Sequence, residues 1–126
     1  MSVKTTCIAA LVAASAAMAP AISQAADPAQ LERGKAAFTY WCATCHGPGT
    51  FENGRTLPGT TSLGVKYKGT NIPPALEERT DLLPDYVKAV IRNGIKGMPT
   101  FRKTEISAAD ADAIGAYIAR KPVPGP

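Results

Sequence analysis

Small and apolar residues recur along the chain in three registers, each of which predicts a helix. Leu31, Gly34, Phe38 and Trp41 follow one another at helical spacing. They lie behind Asp27-Pro28-Ala29-Gln30, which offers an N-cap Asp, Pro at the first helical position and Gln three residues after the cap. Glu32, Arg33 and Lys35 fall largely off the stripe, so the pattern predicts an amphipathic helix that delivers the chain into Cys42. A second run places Tyr86, Val87, Val90 and Ile91 on one face of a helix preceded by Asp81 or Leu83, entered through Pro84 and stopped by Asn93-Gly94. The third helix opens at Ser107, with Asp110 three residues on as a capping box. It runs through Ala111, Ile114, Tyr117 and Ile118 and stops before Pro122.

The intervening segments carry no such period. From Gly47 to about Ala75 the chain is punctuated by Pro48, Gly49, Gly54, Pro58, Gly59, Gly64, Gly69, Pro73 and Pro74. This predicts a long loop with at most a short helical turn over Thr61 to Tyr67. A loop of that length is unusual in a compact domain unless it wraps something. Ile95-Lys96-Gly97-Met98-Pro99-Thr100-Phe101 reads as loop again, and residues 121–126 as a disordered Pro/Gly tail. No internal repeat and no strand pattern emerges, so the expected fold class is all-α.

The N-terminal end reads as a secretory signal. Lys4 supplies the positive region, and Ile8 to Ile22 form a weakly apolar, alanine-rich core interrupted by Pro20. Ser23-Gln24-Ala25 places small residues where a signal peptidase inspects them, so cleavage is expected after Ala25. An uncleaved anchor is the alternative, but a membrane span wants about 20 strongly apolar residues. The expected organisation is therefore a signal peptide over 1–25, one domain over 26–120, and the tail. Loss of the leader removes Cys7, Met1 and Met18, leaving His46, Met98 and the pair Cys42 and Cys45 as the only His, Met and Cys. The formal charge of +4, which includes Lys4, is mildly basic and scattered, unlike a nucleic-acid-binding stripe.

Chemistry concentrates in Cys42-Ala43-Thr44-Cys45-His46. Two thiols separated by two residues can reach two vinyl groups on one edge of a flat porphyrin, and the next residue turns its imidazole under the metal; this is the attachment signature of c-type haem. Structural zinc would want four protein ligands, and a thioredoxin-like dithiol a βαβ context. Neither is present in the pattern. A haem also explains the long middle loop, which can wrap the macrocycle. Water, Lys, Tyr or Met remain as ligands for the other face of the iron, since no second His exists. Met98 follows His46 in a Gly-Met-Pro loop between two predicted helices, where Gly97 permits close backbone approach and Pro99 stiffens the loop. Met98 is therefore the expected sixth ligand, with core filling as the bland alternative.

Taken together, these residues resemble a class I monohaem cytochrome c, and the resemblance covers essentially Asp27 to Arg120. Gly34 and Phe38 match the Gly-x-x-x-aromatic pattern of the family's first helix, and Tyr117 the aromatic of its last. The resemblance implies three to five helices wrapped around one covalent haem, with the terminal helices packed at close range through Gly34. It implies that a loop proline, Pro74 or the adjacent Pro73, offers its carbonyl to the Nδ1 proton of His46. Tyr67 and Arg79 are candidates for the haem propionates, with solvated loop residues as the alternative. The stretch Leu82 to Arg120 resembles, more narrowly, the small periplasmic cytochromes that serve flavin or quinone dehydrogenases, of the p-cresol methylhydroxylase cytochrome subunit type.

The implied function is a periplasmic single-electron carrier rather than an enzyme. It would take electrons from a dehydrogenase and pass them to a terminal oxidase or another cytochrome, through weak docking near Cys42, Ala43 and the Met98 loop. Two other readings stand beside it: a haem subunit fixed within a dehydrogenase complex, and a haem enzyme or gas sensor with a displaceable Met98, for which no second His exists although Arg102 and Glu105 follow Met98.

Overall fold

The structure, a computed structural model, describes residues 27–121. The expected signal peptide, its cleavage point and all but the first residue of the tail lie outside the described residues. Among the described residues five α-helices follow one another: α1 (Pro28–Trp41), α2 (Ala43–His46), α3 (Pro58–Lys66), α4 (Pro84–Asn93) and α5 (Ala108–Ile118). A 3-10 turn, Leu76–Glu78, precedes α4. No strand occurs among the described residues, and only two isolated bridges form, Thr50 with Thr56 and Ile95 with Met98.

The three helices predicted from periodicity form where their caps place them. Asp27 accepts from the Ala29 N–H at the start of α1. At α5 the Ser107 hydroxyl accepts from the Asp110 N–H at 3.1 Å and donates to the Asp110 carboxylate at 2.6 Å. Hydrogen bonds from that hydroxyl and from Arg33, which donates at 2.8 Å, hold the Asp110 carboxyl below its usual range. The same ion pair ties α5 to α1.

α1 and α5 are in direct backbone contact. A Cβ on Gly34 would lie 2.1 Å from the Ala113 carbonyl oxygen and 2.7 Å from Tyr117 Cβ, so only glycine admits this approach. Phe38 and Tyr117 then pack with ring centroids 5.9 Å apart. Ile91 of α4, Ile106, Ile114 and Ile118 close the core around them and are 2% exposed or less. Each such side chain contributes about 1.5–3 kcal/mol on leaving water. Lys88 joins α4 to α5 by bridging Asp85 and Asp112, both at 2.9 Å.

Three expectations need correction. The middle segment holds more than a helical turn: α3 starts at Pro58, three residues before Thr61, because Pro58 occupies the first helical turn, where its missing N–H costs nothing. Tyr86 does not join the buried face of α4 and is half-exposed, since α5 covers the Val87 and Ile91 side. Trp41 ends the α1 stripe at the surface, 36% exposed, with its edge on Tyr40 and Phe101.

Candidate functional site

Cys42 caps the end of α1, its N–H donating to the Phe38 carbonyl at 2.8 Å, and the chain turns at once into α2. The N–H groups of Cys45 and His46 both donate to the Cys42 carbonyl, at 3.0 and 2.8 Å. This single helical turn sets the two cysteines three residues apart on adjoining positions of one face. Both thiols are free; Cys42 is buried in the core and Cys45 is exposed. Burial, reinforced by the neighbouring Cys45, pushes the Cys42 thiol up to about 12. It is therefore a protonated thiol at neutral pH, not a reactive thiolate poised for disulfide exchange. Among the described residues no three His, Cys, Asp or Glu side chains converge to hold a metal ion.

His46 is half-buried, and burial pushes its pKa below the usual range, favouring the neutral imidazole that ligates metals. Its Nδ1 is buried without a hydrogen-bond partner. The expected acceptance by Pro74 or Pro73 is therefore not made. The ring instead lies against the start of α3, where a Cβ on Gly59 would fall 2.5 Å from Cε1 and 2.6 Å from Nδ1. The adjacent Thr60 hydroxyl donates to the Gly47 carbonyl at 2.8 Å and reaches the Cys45 carbonyl at 3.3 Å. Gly59 and Thr60 thus seat the imidazole turn, a role that sequence reasoning missed. Its signal was the Leu57-Pro58-Gly59-Thr60 helix start, read there as loop.

Met98 is half-buried in a tight turn. Its N–H donates to the Ile95 carbonyl at 2.9 Å, and the Ile95 N–H donates back to the Met98 carbonyl at 3.3 Å. Lys96 carries a φ of 52° inside the turn. The glycine that this geometry demands is Gly94, at φ 66°, where a Cβ would lie 2.6 Å from the Met98 oxygen. Around Gly97 no protein atom lies within 4 Å of a Cβ, so no contact within the chain requires glycine there. Three residues beyond Met98, Phe101 packs edge-on against Trp41 with centroids 6.0 Å apart. Trp41 immediately precedes Cys42, so the methionine loop is moored beside the cysteine motif.

Arg79 is not a solvated loop residue: it is 5% exposed and paired with Asp81, with Nε to Oδ1 at 2.8 Å. Its guanidinium lies 4.8 Å from the centre of the Tyr67 ring, over which Lys66 also reaches. Hydrogen bonds from Lys66 and Arg79 hold the Tyr67 phenol below its usual range. The Tyr117 hydroxyl donates to Glu77, tying the 3-10 turn that precedes Arg79 to α5.

These residues fit a covalently tethered haem. The motif presents two free thiols, one in the core, and an imidazole with an orphaned buried nitrogen, beside which a moored loop carries a thioether. A family model described as cytochrome c oxidase, cbb3-type, subunit III matches residues 29–118. The chain belongs to this family. It is a c-type cytochrome with one covalently bound haem c and its iron, and it is a haem-based electron carrier, an assignment that favours electron transfer over catalysis. No curated protein matches the cytochrome. No helix among the described residues is long and apolar enough to cross a membrane.

Proposed function

We propose that the cytochrome is a periplasmic single-electron shuttle in which Cys42 and Cys45 tether the haem and His46 and Met98 supply the two axial ligands. When bound, the haem supplies a one-electron couple, and thioether ligation raises its potential. Cys42, from within the core, and Cys45, from the surface, would hold the haem through thioether bonds. His46 offers a neutral nitrogen, and Gly59 limits the rotation of its ring. Met98 would supply the second protein ligand to the iron and would leave no coordination site for a small molecule. Arg79, buried beside Tyr67 and paired with Asp81, would hold a propionate. The donor is a flavin- or quinone-dependent dehydrogenase, and the acceptor a terminal oxidase or another cytochrome. Residues 1–25 direct export and are then removed.

The observation that carries this reading is a cysteine turn that carries His46, with a methionine loop moored beside it through Phe101 on Trp41. Carbon monoxide tests it. The ferrous holoprotein at neutral pH, without denaturant, should remain spectroscopically unchanged under the gas, whereas Met98→Ala should bind it. Ready binding by the parent protein would favour an enzyme or gas sensor and defeat the carrier reading.

A further inference from the structure

Arg92 sits on α4, six residues before Met98, half-buried, and spends its guanidinium on backbone oxygens alone. One terminal nitrogen donates to the Phe101 carbonyl and the other to the Ser107 carbonyl, each at 3.1 Å. Among the described residues no carboxylate pairs with it. The two acceptors bracket the chain between the Met98 turn and α5. The Phe101 N–H in turn donates to the Ile91 carbonyl at 2.9 Å, so Phe101 is held to α4 through both its amide and its carbonyl. A planar fork with donors fixed in direction can hold two carbonyls at once, which a lysine ammonium or a glutamine amide cannot reproduce.

We infer that Arg92 is a positioning residue for the axial methionine: its fork fixes the segment from Phe101 to Ser107, and that segment keeps the Met98 thioether on the iron. This rests on the reading of Met98 as a ligand and adds the device that keeps it in place. If the fork is lost, the Ile95–Met98 turn stays closed through its own two hydrogen bonds, but its C-terminal mooring loosens and the loop swings from α4 more often.

Exogenous imidazole competes with Met98 for the ferric iron, so its apparent affinity scales with the fraction of molecules in which the loop is open. Imidazole titration of the ferric holoprotein, followed by the far-red absorption band of the sulfur–iron bond, should half-convert Arg92→Gln at a concentration about tenfold below that for the parent. Arg92→Lys, which keeps the charge but loses the fork, should shift by about threefold and carries the test if the glutamine variant does not accumulate. Ile114→Val, which weakens the core but leaves both Arg92 hydrogen bonds in place, should stay within about twofold of the parent. An unchanged titration in both Arg92 variants, or an equal shift in Ile114→Val, would overturn the inference. Persistence of the far-red band in Met98→Ala would instead defeat the ligand reading on which it rests.

Discussion

Replacing Gly34 by alanine asks whether α1 and α5 truly touch backbone to backbone. In an exposed helix the substitution would stabilise by about 1 kcal/mol through helix propensity. Here the new methyl would sit 2.1 Å from the Ala113 oxygen and 2.7 Å from Tyr117 Cβ. Ordinary contact needs about 3.5 Å, so the helices must separate by about 1.4 Å and the Phe38–Tyr117 pair and the isoleucines beneath it lose contact. Overpacking of this kind costs about 1–3 kcal/mol or more, and a clash with rigid backbone belongs at the upper end. Set against the propensity gain, the net loss is about 2 kcal/mol. For a domain of this size that lowers Tm by about 8–16 °C. Thermal unfolding of the holoprotein followed by far-ultraviolet circular dichroism reads it directly. A Tm equal to or above that of the parent would refute the close approach, because only an uncrowded glycine gains from alanine.

Three further outcomes follow from individual contacts. Tyr117→Phe removes the phenol bond to Glu77 while keeping the ring on Phe38, and should lower stability by about 1 kcal/mol in urea titration; an unshifted midpoint would show that the bond is idle. Hydrogen bonding to Arg79 holds Asp81 below its usual range, so its contribution is present above the unfolded value near pH 4 and is lost as pH falls through the lower folded value. The urea midpoint should drop steeply over that acid limb in the parent and less steeply in Arg79→Met; parallel profiles would contradict the pairing. Intact mass should show one added haem on the parent and none held covalently by a Cys42→Ser/Cys45→Ser double variant, and a full increment in the double variant would exclude these sulfurs as the tether.

What could be read in advance depended on how local each determinant is. The ends of α1, α4 and α5 were legible because Asp27, Pro84, Asn93-Gly94 and the Ser107–Asp110 box act within a single turn. The Cys42–His46 motif was legible for the same reason, since its spacing is itself the geometry. α3 escaped because its Gly, Thr and Ser residues carry no apolar stripe; it is held through Thr60, whose partners lie 13 and 15 residues away. The seat for His46 was misplaced in the same way: the family pattern pointed to the Pro74 carbonyl, whereas the ring contact in the folded chain is with Gly59. Arg79 looked like a loop cation until Asp81 and Tyr67 closed over it. Arg92 carried no signal at all, because its acceptors are backbone oxygens that any residue types at positions 101 and 107 would supply.

The far-red absorption of the oxidised holoprotein tests most directly whether a thioether and an imidazole occupy the two poles of the bound iron. The weak band of a sulfur–iron bond should be present in the parent and absent from Met98→Ala. A parent spectrum without the band, in a protein shown to carry its haem, would contradict the ligation by Met98 and with it the carrier mechanism.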